Sequence, residues 1–124
     1  MSAPSLPAAA APDSLTHALQ RAGVLGDGRV REVSTDPPRD MVLSRIWRLR
    51  LAYDGDAAAP RTLILKTRKP DAPGQAAWGA KEVAFYKSVA PAMPAGLVPR
   101  CYEADWQDES RDWHLLLEDL SDTH

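Results

Sequence analysis

Cysteine is almost missing from this chain. Cys101 stands alone among 124 residues, so no intrachain disulfide and no multi-cysteine zinc site can form. No stretch approaches the roughly 20 consecutive apolar residues that a membrane-spanning helix needs. Met1 to Pro12 has neither the basic start nor the strongly apolar centre of a signal peptide. These absences predict a cytoplasmic protein with no membrane partner. Charge of one sign is also lacking. Lys and Arg number 15 against 17 Asp and Glu, a net charge of −2, which gives no basic field to draw nucleic acid. His17, His114 and His124 lie far apart with no ligand spacing, so no metal site is expected. No Gly-x-x-x-x-Gly-Lys, Gly-x-Ser-x-Gly or His-Glu-x-x-His run occurs.

What is present reads as one small α+β domain. Hydrophobic residues at 44% and charged residues at 26% suit a globular chain with one modest core. Residues 1–12, small side chains broken by Pro4, Pro7 and Pro12, are expected to be a disordered tail, leaving 13–124 as the domain. A helix capped by Asp13 or Ser14 should run through Leu15, Leu19 and Ala22, ended by Gly23 and the Gly26-Asp27-Gly28 cluster. Arg29 to Thr35 reads as a first strand and Asp36 to Asp40 as a proline-forced turn. Leu43, Trp47, Leu49, Leu51 and Tyr53 then share one face of a second strand, while Ser44, Arg48 and Arg50 take an outer, solvated one.

A third strand spans Arg61 to Lys66. A helix follows from about Gln75 to Val89, stopped by Pro91. Its inward stripe is Trp78, Glu82, Phe85 or Tyr86, and Val89. Pro99 to Trp106 and Asp112 to Leu120 complete a five-stranded antiparallel sheet carrying one packed helix.

Two charges need a reason in this pattern: Lys66 closing an apolar strand, and Glu82 facing inward from a helix. Burying either alone costs several kcal/mol, so each wants the other. Ile64, two residues before Lys66, projects from the same strand face and could cover a flat ring while the ammonium reaches an anion. An ordinary core role for Ile64 is equally open. After Leu117 the chain turns polar at Glu118-Asp119, where backbone leaving a sheet edge can offer its C=O and N–H. Asp119 and Asp122 read as solvated or helix-capping groups.

Four segments, in order, carry a family resemblance: Leu63-Ile64-Leu65-Lys66, Lys81-Glu82-Val83-Ala84-Phe85-Tyr86-Lys87, Val98 to Ala104, and Leu115-Leu116-Leu117-Glu118-Asp119-Leu120. Together they resemble the N-terminal lobe of the aminoglycoside phosphotransferase, choline kinase and ecdysteroid-kinase-like family, which has a protein-kinase-like fold. The resemblance covers about residues 14–124. It implies that Lys66 holds ATP phosphates and that Glu82 orients it. By the same likeness, Glu118 and Leu120 meet adenine through backbone groups, with Leu117 behind the base. ATP with Mg²⁺ would be the cofactor and a small hydroxyl-bearing molecule the acceptor.

The sequence departs from the family in two ways. The Asp36 to Ser44 turn has no glycine to let backbone approach phosphates. The family's catalytic aspartate and metal ligands belong to a C-terminal lobe and match no residue here. The expectation is an N-lobe, inactive alone, with an uncovered apolar lobe face prone to self-association. The alternative is a stand-alone α+β interaction domain in which Lys66 and Glu82 form only a structural ion pair.

Overall fold

The computed structural model describes residues 7–40, 44–54, 59–68, 76–89, 92–93, 99–107 and 113–119. Among them are six strands and two helices in an α+β arrangement, four strands lying between the helices and two after them. The strands are β1 (Arg29–Thr35), β2 (Arg39–Asp40), β3 (Ser44–Asp54), β4 (Thr62–Arg68), β5 (Cys101–Trp106) and β6 (Trp113–Glu118). Helix α1 spans Pro12–Arg21, and α2 spans Ala76–Ala84. All pairings are antiparallel, in the order β1-β3-β4-β6-β5 with the two-residue β2 also on β3, and the sheet stays open.

Alternation gives the sheet two faces with separate cores. On one, Trp47, Leu49, Leu51, Leu63, Leu65 and Leu116 pack under Leu15, Ala18 and Leu19 of α1. On the other, Leu115 and Leu117 pack with Val83 of α2 and the partly buried Ile64 and Tyr86. Lys66 belongs to this second face. α1 is tied to the sheet by Thr16, whose Oγ1 donates to the Pro12 carbonyl (2.8 Å) and accepts from the Val30 amide (2.9 Å). Gly23 (φ 78°) and Gly26 (φ 64°) end the α1 segment in left-handed conformations that side chains resist.

Several expectations give way. The helix starts at Pro12 with Ala11 at its cap and no side-chain cap bond, in place of Asp13 or Ser14. Proline's fixed φ and missing N–H suit the first helical position. Residues 8–10, placed in the tail, form a 3₁₀ turn, and Ala10 is fully buried against α1 and the sheet. Short alanine side chains can pack closely there, where polar tail residues could not. Residues 1–6 lie outside the described set.

The expected turn at 36–40 ends in β2, because Arg39 pairs with Ile46 and Asp40 with Arg45. The Arg45 guanidinium grips the Asp40 carboxylate from two nitrogens, at 2.6 and 3.2 Å. This short strand makes the sheet six-stranded. β4 continues through Thr67 and Arg68, so Lys66 lies inside the strand.

The second helix is not uniform. After Ala84 it widens into a π turn, Phe85–Val89. The wider turn rotates each residue less than an α-helix does, and it carries Val89 outward, where it is 49% exposed. Val83, rather than Val89, fills the inward position, and of the Phe85/Tyr86 pair it is Tyr86 that packs against the sheet. Leu43, Asp112, Leu120 and the side chain of Trp78 lie outside the described residues.

Candidate functional site

Lys66 sits on the central strand, between Ile46 of β3 and Leu115 of β6. Its stem crosses an apolar row, and only the ammonium tip can reach water or a counter-charge. The counter-charge is Glu82. The Lys66 Nζ donates to Glu82 Oε1 at 2.6 Å, with the two side chains 23% and 19% exposed. Glu82's other oxygen, Oε2, is buried and has no hydrogen-bond partner. The carboxylate is thus half satisfied, and Lys66 keeps two N–H donors beyond the one it spends on Glu82.

Tyr86 stands one turn beyond Glu82, and its ring meets Phe85 edge-on at 5.2 Å. Burial first, then the nearby Glu82 charge and Cys101, push the Tyr86 phenol above its ordinary pKa of 10.0. The phenol therefore stays a neutral donor at physiological pH. An open hollow of about 360 Å³ beside Glu82 is lined by Lys81, Glu82, Phe85 and Tyr86.

Ile64 and Leu117 are cross-strand neighbours on the face that carries Lys66. Leu117 is buried and Ile64 half-buried, so together they present a narrow apolar strip beside the ammonium. Glu118 is held elsewhere. Its N–H donates to the Arg100 carbonyl at 2.8 Å, and its Oε1 accepts the Arg100 N–H at 3.2 Å. That N–H is committed to Arg100 and is not available to a ligand. Lys66, Glu82, Ile64 and Leu117 therefore come together, Glu118 borders them, and Leu120 falls outside the described residues.

Sequence reasoning missed two charges on this face. Arg48 lies directly across from Ile64. Its Nε donates to Asp119 Oδ2 at 2.8 Å, and the Asp119 side chain is only 2% exposed. The outer face of β3 is therefore not simply solvated near Arg48, and Asp119 is a buried partner rather than a surface group. Alternation placed Arg48 on the correct side of β3. What it could not show is that the same side carries Ile64 and Lys66, since strand register depends on distant residues. Arg50, one step further out, pairs with Asp36 at 3.0 Å in an exposed position, as a solvated face predicts.

Among the described residues no group of three or more His, Cys, Asp or Glu could hold a metal ion. No helix described is long and apolar enough to cross a membrane. Comparisons with protein-family models, curated proteins and solved structures found no match for this chain.

Proposed function

We propose that this chain is the nucleotide-binding lobe of an ATP-dependent phosphotransferase that acts on a small hydroxyl-bearing substrate. The observation that carries this reading is the Lys66–Glu82 contact, 2.6 Å long, on the same sheet face as Ile64 and Leu117. An ammonium fixed by a helix carboxylate beside an apolar strip can grip a phosphate while a base covers the strip. The residues present fit that role. Lys66 has donors to spare and is partly open, and the half-satisfied Glu82 fixes its position without neutralising every N–H.

ATP, when bound, supplies the transferable γ-phosphate, and Mg²⁺ offsets charge on its phosphate oxygens. The chain's own residues position the nucleotide. Lys66 donates to phosphate oxygens, Glu82 holds the ammonium, Ile64 and Leu117 exclude water from one face of the base, and the Glu118 C=O accepts from its edge. No residue described is assigned as a base or a Mg²⁺ ligand.

One wall of a cleft binds weakly, so affinity for Mg-ATP in the millimolar rather than the micromolar range is expected. Two-dimensional NMR of the labelled chain, titrated with Mg-ATP, adenosine and tripolyphosphate, tests this directly. Shifts should map to Ile64, Lys66, Leu117 and Glu118, and Lys66→Ala should abolish the tripolyphosphate response while sparing adenosine. Shifts scattered away from these residues, or none at millimolar Mg-ATP, would refute the reading.

A further inference from the structure

Arg48 and Asp119 join two strands that do not pair directly. In the order β3-β4-β6, β4 lies between them, so the bridge spans two strand spacings, roughly 10 Å. The Arg48 side chain therefore crosses the face of β4 to reach the residue just past β6. Its Nε donates to Asp119 Oδ2 at 2.8 Å, and the aspartate side chain is only 2% exposed. Register places the crossing. Arg48 stands opposite Ile64, Ile64 opposite Leu117, and Leu63 opposite Glu118. Continuing that register by one step sets Asp119 level with Thr62. Along β4 the face thus runs from Lys66 through Ile64 to the bridge, which closes the end of the Ile64–Leu117 strip away from the ammonium.

Both ends of the bridge are anchored. The Arg48 carbonyl accepts the Thr35 hydroxyl at 2.9 Å, which ties its backbone to β1. Glu118, next to Asp119, is held by Arg100 through its N–H and its carboxylate, at 2.8 and 3.2 Å. A buried carboxylate at a strand end, paired with a cation two strands away, is a costly arrangement. Replacing such a pair with apolar residues is often neutral or stabilising, so stability alone gives a weak reason for it. What the bridge supplies is geometry. It fixes the chain leaving β6 relative to Ile64, and it sets a hard edge on the strip.

We propose that Arg48 is a positioning residue for the flat ring of a ligand seated on the Ile64–Leu117 strip. Acting through Asp119, it holds the end of β6 against that surface and stops the ring from sliding away from Lys66. This role rests on the nucleotide reading given above and divides it, with Arg48 governing the base and Lys66 the phosphates.

Adenosine and tripolyphosphate, titrated separately into the labelled chain and followed by two-dimensional NMR, read the two halves independently. Arg48→Met should weaken the adenosine response at Ile64 and Leu117 about fivefold and leave the tripolyphosphate response at Lys66 unchanged. Asp119→Asn keeps the side-chain shape and removes the buried charge, so it should weaken adenosine in the same direction by less. Thr16→Ala loosens α1 on the opposite face and controls for lost stability, and it should bind both probes as the parent does. Every titration is run well below the melting midpoint of the protein used. Adenosine bound undiminished by both Arg48→Met and Asp119→Asn overturns the positioning role and leaves the nucleotide reading standing. Equal loss of both probes in Arg48→Met, or a matching loss of adenosine in Thr16→Ala, also overturns it, because the effect is then merely structural. No adenosine response at Ile64 and Leu117 in the parent overturns the role and the nucleotide reading together.

Discussion

Breaking the Lys66–Glu82 pair should cost very different amounts depending on which partner is removed. Lys66→Met leaves a carboxylate that is 19% exposed, with one oxygen already buried and unpartnered. Glutamate's two-carbon stem on a packed helix gives it little room to swing into water. Fully buried pairs lose 3–5 kcal/mol when one partner goes, and partial exposure brings this case to about 2–3 kcal/mol. Glu82→Gln leaves an ammonium on a flexible four-carbon stem, already 23% exposed, which can turn outward and hydrate. That change should cost only about 1 kcal/mol, near the upper end for exposed pairs. The double variant Lys66→Met/Glu82→Gln should recover at least about 1 kcal/mol relative to the sum of the singles. Urea unfolding followed by tryptophan fluorescence measures all four proteins. In thermal melts the Lys66→Met loss corresponds to roughly 6–12 °C. Equal costs for the two single variants, or strict additivity in the double, would show that the ion pair does not bear the charge burden inferred from its geometry.

Arg48 and Arg50 pair in different surroundings, one partner buried and the other exposed. Arg48→Met should destabilise by about 1–3 kcal/mol, because it strips a cation from the 2%-exposed Asp119. Arg50→Met, whose pair with Asp36 is exposed, should cost under about 1 kcal/mol, and similar values for the two in urea titrations would contradict the burial argument. The third outcome concerns alkaline pH. Burial pushes the Cys101 thiol up to about 11 from 9.0, opposed by a Glu103 backbone hydrogen bond to the sulfur and reinforced by the Glu103 charge. Burial, aided by Tyr102, pushes the Tyr53 phenol up to about 12 from 10.0. Both raised values favour the protonated forms in the folded state. Their contribution is complete below the unfolded values and is lost as pH rises through 11 and then 12. Circular dichroism across alkaline pH should show loss of structure in that window, and Cys101→Ser should move its onset upward. An unchanged onset in the serine variant would remove the thiol from the account.

Much of the fold was legible because its signals are local. Val30 and Val33 marked β1 at its observed bounds despite imperfect alternation, alternating Trp47, Leu49 and Leu51 marked β3 within a residue or so, and apolar runs marked β4 and β6. The α+β character and the antiparallel sheet followed from short connections between strands. What failed depended on longer-range or subtler effects. β2 rests on Arg39 and Asp40 pairing with Ile46 and Arg45, reinforced by the Asp40–Arg45 side-chain contact, and propensity encodes neither. The tail expectation missed Ala10 because composition reports average polarity, not whether three alanines find a matching surface. The stripe on α2 was read with one helical period throughout. The π turn changes that period at Phe85, so Val83 and Tyr86 pack inward and Val89 does not.

The candidate site was half legible for a related reason. A charge at an apolar position stands out in a sequence, so Lys66 and Glu82 could be paired by elimination. Arg48 and Asp119 could not, because an arginine on the polar face of a strand and an aspartate after one are each ordinary. The four residues now share one sheet face, and their energetics bear on why they are there. Replacing a buried ion pair with well-packed apolar residues is often neutral or stabilising, so stability alone is a poor reason for Lys66 to occupy the central strand between Ile46 and Leu115. Lys66→Met/Glu82→Leu separates the two roles. If that variant folds as tightly as the parent yet loses its NMR response to tripolyphosphate, the charges serve a ligand. If the parent shows no such response and the apolar variant is markedly less stable, the pair is structural, and the stand-alone α+β domain becomes the better account of the chain.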